Sequence, residues 1–160
     1  MKDRGFILHV EDDADDVFFL AEALRRSVID IPIEVVNDGQ AAVEFLLLAG
    51  SVADPGASRP SLVLLDLNLP RKTGLEVLKW IRQESVFKTL IVIVLTSSTS
   101  EADMEAAYSL GANSYIIKPA DAMLLREVAQ LIKHYWFGWN QLPPMRSRPG
   151  ALAHPRVAKG

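Results

Sequence analysis

Two rhythms of apolar residues alternate along the chain. FILHV (6–10), IEVV (33–36), LVLLD (62–66), LIVIVL (90–95) and SYII (114–117) are short and rich in β-branched residues, and several are apolar throughout. Runs of this kind read as strands buried on both faces of a parallel sheet. Between them, apolar residues recur at three and four positions. Val17, Leu20, Ala21 and Leu24 do so in 14–27, with Asp13 or Asp15 placed as N-cap. Residues 40–49 put Ala42, Val43, Phe45, Leu46 and Leu47 on one broad face, and 74–84 and 101–110 keep the same period, the latter stopping at Gly111. In 121–138, Leu124, Val128, Leu131, Ile132 and Tyr135 form a stripe. Five strands alternating with five helices predict an open α/β sheet with right-handed crossovers.

Two stretches stand outside this rhythm. The connection GSVADPGASRPS (50–61) is longer than such folds need. Beyond about residue 139 no apolar period remains, so the expected division is a domain over 4–139 and a poorly ordered, basic, Pro-rich tail over 140–160. Just before that boundary lie Tyr135, Trp136, Phe137 and Trp139. Four aromatics in five positions cannot all face one core. They either fold back onto the domain or form a contact between two copies in a homodimer.

A chain of 160 residues can bury a full core. The absence of cysteine excludes disulfides, thiolate metal sites and a cysteine nucleophile. The N-terminus does not read as a secretory signal, and no apolar segment approaches the roughly 18 residues that span a bilayer, so a cytoplasmic protein is expected. The net charge of −3 is unevenly spread: Arg146, Arg148, Arg156 and Lys159 make the tail +4, leaving 13 basic and 20 acidic residues, or −7, before it. An acidic body argues against general affinity for nucleic acid.

The acids are where the chemistry starts. HVEDDADDV (9–17) places Glu11, Asp12, Asp13, Asp15 and Asp16 directly after the first strand. In open α/β sheets the reactive groups lie beyond the carboxyl ends of the strands. Asp66 ends the third run, Thr96 and Ser97 follow the fourth, and Lys118-Pro119 follow the fifth. Three carboxylates gathered at one edge do not ionise together comfortably without a counter-charge. A hard divalent cation suits them, and Mg²⁺ typically takes one or two carboxylates, several waters and a phosphate oxygen. Lys118 and Thr96 would then hold the outer oxygens of a phosphoryl group. Asp13 reads as a helix cap, Asp15 and Asp16 as first-turn acids, and His9 as a buried core residue. Asn68 and Ser98, each two positions beyond a candidate site residue, leave room for a hydrolytic water.

VEDD, LLDLNLP with a Gly four residues after the proline, VLTSS and YIIKP, in that order over residues 6–135, resemble the receiver domain of two-component response regulators. The resemblance implies a doubly wound, flavodoxin-like five-stranded sheet in the order 2-1-3-4-5. It implies Asp66 as phosphoacceptor, and Mg²⁺, with Mn²⁺ able to substitute, held by Glu11, Asp12, Asp66 and the backbone carbonyl of Asn68. Thr96 and Lys118 would contact the phosphoryl group, Thr96 and Tyr115 would be switch residues, and the Lys118–Pro119 bond would be cis. The signal would leave through the fourth helix, fifth strand and fifth helix.

The 50–61 loop, LLDLNLP and the aromatic end followed by LPP resemble the small regulators paired with bacterial phytochromes. That points to a histidine kinase partner, with bacteriophytochromes as the suggested class, and to a homodimer. It also points to a downstream protein or phosphotransfer partner, with no DNA-binding domain and no membrane. Two positions depart from the pattern: the acid pair is Glu-Asp, and Arg71-Lys72-Thr73-Gly74 stands where an acid often precedes the glycine. Two alternatives remain: a receiver-like interaction module that is not phosphorylated, and a phosphatase forming an aspartyl-phosphate. The second usually needs another Asp two residues past the nucleophile, where this chain has Asn68. A receiver is no enzyme in the ordinary sense, though it can catalyse its own Mg²⁺-dependent phosphorylation and dephosphorylation. A nucleotide-binding domain is disfavoured by the lack of a Gly-rich loop after the first strand.

Overall fold

The computed structural model describes residues 5–26, 28–50 and 59–144. Strands β1 (Phe6–Val10), β2 (Ile33–Val36), β3 (Pro60–Leu65), β4 (Ile91–Thr96) and β5 (Ser114–Ile117) alternate with helices α1 (Ala14–Arg25), α2 (Gly39–Ala49), α3 (Gly74–Gln83), α4 (Glu101–Ser109) and α5 (Ala122–Lys133). All pairings are parallel and the strand order is β2-β1-β3-β4-β5, as expected. β1, β3 and β4 are buried along their whole length, whereas the edge strands β2 and β5 are half-buried or exposed. The central strands therefore carry the longer, mostly apolar runs, with His9 the polar residue inside β1.

Alternation along the strands divides the core in two. Leu8, Val10, Val63, Leu65, Val92 and Val94 pack on one face against residues of α2, α3 and α4. Ile7, Leu62, Leu64, Ile91, Ile93 and Leu95 pack on the other against α1 and α5. The helix starts follow from local chemistry. Asp13 accepts hydrogen bonds from the N–H groups of Asp15 and Asp16, which makes it, and not Asp15, the cap of α1. Thr73 and Glu76 form a reciprocal capping box on α3.

Gly74 is required by space. A Cβ there would lie 2.1 Å from the carbonyl oxygen of Asp66, so α3 can start this close to the end of β3 only at a glycine.

The expected helix over 121–138 changes character at Lys133. It continues as a π-helical turn, His134–Trp139, in which Asn140 N–H donates to the Tyr135 carbonyl at 2.7 Å. The wider turn is a packing solution. It buries Phe137 and half-buries Trp136 on the α1/α5 side, while Tyr135 and Trp139 stay 55% and 84% exposed. Contact with that core continues to Leu142, three residues past the boundary placed at 139. Residues 51–58, most of the long loop, and 145–160, most of the tail, lie outside the described residues. Among the described residues, no helix is long and apolar enough to cross a membrane.

A candidate acidic phosphoryl and metal site

The carboxyl ends of β1, β3 and β5 converge at one edge of the sheet. Glu11 follows β1 directly and is 1% exposed; Asp66 follows β3 and is 6% exposed; Asp12 is open to solvent. One carboxylate oxygen from each lies within 4.8 Å of the others. Lys118, the first residue past β5, extends its ammonium across this group. Its Nζ donates to Glu11 Oε2, to Asp16 Oδ2 at 2.8 Å and to Asp66 Oδ2 at 3.4 Å. A lysine ammonium has three donors, and all three end on carboxylates.

Backbone groups orient the acids. Asp13 N–H donates to Glu11 Oε1 at 3.1 Å, and Asn68 N–H donates to Asp66 Oδ1 at 3.4 Å. Each leaves the acid's other oxygen facing Lys118. Burial pushes the Glu11 carboxyl up to about 7, and the Asp66 charge adds to the rise although the Lys118 hydrogen bond opposes it. Burial also works against charge on Lys118, but Asp16, Glu11 and Asp66 outweigh it and hold that ammonium above the ordinary lysine value. His9 is buried on the α1/α5 side as expected, and burial, reinforced by Lys118, pushes its imidazole down to about 4.

The arrangement is short of positive charge. Oxygen donors from three acids, one of them open to water, form the set that a hard, partly hydrated divalent cation takes.

Thr96 is the last residue of β4 and is fully buried; its Oγ1 accepts a hydrogen bond from Ser98 N–H at 3.3 Å. Among the described residues no hydrogen bond joins it to Asp66. Tyr115, in β5, is half-buried, and its hydroxyl donates to the Ser98 carbonyl at 3.0 Å. Ser98 is thus the common neighbour of Thr96 and Tyr115, and its own hydroxyl donates to Asp103 in the first turn of α4. Asn68 is exposed beside Asp66.

One expectation fails: no cis peptide bond occurs among the described residues, so Lys118–Pro119 is trans. An X–Pro bond favours trans by about 0.5–1 kcal/mol unless its surroundings demand otherwise. Lys118 already reaches all three carboxylates from the trans form, so the side-chain contacts here make no such demand. Sequence reasoning also missed Asp16, placed only as a first-turn acid. Its link to Lys118 joins residues 102 positions apart, which no local pattern records.

Residues 7–130 match the response regulator receiver domain family. The chain belongs to that family. As a receiver domain it is a signalling protein whose family function is to accept a phosphoryl group, not a classical enzyme. It is 40% identical over 142 residues to the probable methanogenesis regulatory protein FilR2 of Methanothrix harundinacea, covering 89% of this chain and 90% of that one. It is also 40% identical over 137 residues to the response regulator Rcp1 of Synechocystis, covering 86% of this chain and 92% of the other. The Mn²⁺-bound structure of Rcp1 superposes with a TM-score of 0.79 at 38% identity, covering 88% of this chain and 99% of that one. The phosphorylated cyanobacterial phytochrome response regulator RcpA superposes with a TM-score of 0.80, at the same identity and coverages. Receiver domains bind Mg²⁺ in an acidic pocket, and the Glu11, Asp12 and Asp66 oxygens fit it.

Proposed function

We propose that Asp66 is the phosphoacceptor of this receiver domain and that the donor is a histidine kinase of the bacteriophytochrome class. The observation carrying the reading is the convergence of Asp66, Glu11 and Asp12 around one cation site with the Lys118 ammonium against it. In the transfer, an Asp66 oxygen attacks phosphorus, the P–N bond of the phosphohistidine breaks with its electron pair going to the ring nitrogen, and the imidazole, carrying a proton from solvent on its other nitrogen, leaves as the neutral base. Glu11, Asp12, Asp66 and the Asn68 carbonyl hold Mg²⁺ or Mn²⁺, which when bound supplies positive charge to the phosphoryl oxygens. Lys118 and the Thr96 hydroxyl take the remaining outer oxygens. Since Thr96 and Tyr115 both bond to Ser98, a shift of Thr96 toward the phosphoryl group reaches α4 and β5 through one residue. Asn68 is exposed and Ser98 is tied to Asp103, so water can approach Asp66 and self-catalysed hydrolysis follows.

The kinase class rests on the likeness to a phytochrome response regulator over 88% of the chain. The receiver unit runs over 4–139 and packs on as far as Leu142, with the remainder of 140–160 as its basic extension. The exposed Leu124, Leu131, Tyr135 and Trp139 along α5 and its π-helical end support a homodimer. A downstream protein or phosphotransfer partner reads the α4–β5–α5 face.

Acetyl phosphate with Mg²⁺ should label wild type on Asp66 and leave Asp66→Asn unlabelled, and labelling of the variant at the wild-type level would falsify the assignment. Light scattering at tens of micromolar tests the dimer, and monomers both with and without beryllofluoride would remove it.

A further inference from the structure

We propose that Asp16 is a positioning residue that holds the Lys118 ammonium toward α1 and competes for it with a phosphoryl group on Asp66. The inference rests on Asp66 being the phosphoacceptor. Lys118 lies closer to Asp16, at 2.8 Å, than to Asp66, at 3.4 Å. All three of its donors are already committed; the longest contact is to Asp66 itself, so an ammonium that follows the phosphoryl group outward from Asp66 must loosen its hold on Glu11 or Asp16.

Exposure decides which one yields. The Glu11 side chain is 1% exposed and would be left without water in place of its partner, whereas the Asp16 side chain is 42% exposed. Stranding a buried charge costs far more than returning a half-exposed one to solvent. Lys118 borders a small cavity lined also by His9, Leu20, Leu95, Pro119 and Leu125, which gives its side chain space on that side. Asp16 thus lowers the affinity of the site for a phosphoryl group and keeps the unphosphorylated arrangement favoured. Asp15 is the natural control: it lies in the same first turn and carries the same charge, but it is exposed and bonds to Asp13 only through its backbone N–H.

The experiment measures affinity for beryllofluoride, which caps an aspartate as a phosphoryl mimic, at saturating Mg²⁺ with tryptophan fluorescence as the signal. Asp16→Asn and Asp16→Ser should bind about three- to fivefold more tightly than wild type, the range set by losing a partly exposed ion pair. Asp15→Asn should match wild type, and Asp16→Glu should restore the weaker binding. Equal affinities for the Asp15 and Asp16 variants, or weaker binding by Asp16→Asn, would overturn this inference while leaving the proposed function intact. Failure of wild type to bind the mimic at all would overturn both.

Discussion

As a proposed metal ligand, Glu11 should make the metal affinity of this receiver domain pH-dependent in a range where an ordinary glutamate would not. Burial raises its carboxyl from 4.5 to about 7, and a metal ligand must be ionised to bind. The sign follows directly. Below about pH 7 the cation-free protein holds a proton on Glu11 that Mg²⁺ must expel, so affinity falls as pH falls. For one competing proton with a pKa of about 7, the apparent dissociation constant should weaken about tenfold between about pH 8 and about pH 6. A glutamate at its ordinary value would give a change of only a few per cent over that range. The same shift acts on the fold: without metal, stability declines as pH climbs from about 4.5 through about 7, because the unfolded chain has released a proton that the native state retains.

Isothermal titration of Mg²⁺ in two buffers of different ionisation heat reads both quantities. Near pH 6 it should show close to one proton released per Mg²⁺ bound, and near pH 8 almost none. Glu11→Gln should bind more weakly at every pH and lose the dependence over this range. If wild-type affinity is the same at pH 6 and pH 8, either Glu11 is ionised throughout or it does not serve the metal. Both outcomes would refute the argument from burial.

Three further outcomes concern the frame around the site. Arg82 of α3 donates to the carbonyls of Gly111 at 2.7 Å and Leu90 at 2.8 Å and to Asn113 Oδ1 at 3.0 Å, so Arg82→Ala should cost about 2–4 kcal/mol in a urea melt. A loss under about 0.5 kcal/mol would mean that water replaces it fully. Gly74→Ala drives a methyl to 2.1 Å from the Asp66 carbonyl and should both lower the melting temperature and slow labelling by acetyl phosphate; normal labelling would show that the β3–α3 junction can yield. Arg71 is the one described non-glycine residue with positive φ, at 68°, and it pairs with Asp38 only at 3.7 Å. Arg71→Gly relieves that backbone strain, offset by the freedom glycine adds to the unfolded chain, and should leave thermal stability within about 1 kcal/mol of wild type.

The sequence makes the layout of the fold legible because each central strand is apolar on both faces, and that is a local property. Strand ends are less so, because pairing sets them. The β3 run read as 62–66 is shifted to Pro60–Leu65, which puts Asp66 just outside it, while β4 extends one residue further than read, to Thr96. Both shifts leave the polar side chain at the same edge, so the candidate site survives them. The π-helical end was legible as a conflict, four aromatics for one face, but not as its solution. What stayed hidden was long-range pairing. Arg82, in the periodic stretch 74–84, gathers acceptors up to 31 positions away, and no local pattern records them. Asp16 reads as a dipole-stabilising acid, yet it shares a lysine with Glu11 and Asp66.

On the proposed assignment of Asp66, the charges at the site call for a lysine that can move. With all groups ionised, Glu11, Asp12, Asp16 and Asp66 set four negative charges against Lys118. A divalent cation leaves that set slightly negative. With Asp66 as the proposed phosphoacceptor, phosphorylation would replace its single charge with the roughly double charge of an acyl phosphate. A fixed ammonium would stay with Glu11 and Asp16 and leave the new charge unanswered. A mobile one would follow the phosphoryl group, free Asp16 on α1 and draw on β5 through its own backbone. Because Lys118 N–H donates to the Thr96 carbonyl at 2.8 Å, that pull acts where β4 and β5 meet. Thr96 and Tyr115 both bond to Ser98 there, so on the proposed assignment the response to phosphate and a shift of the α4–β5–α5 face would be one movement.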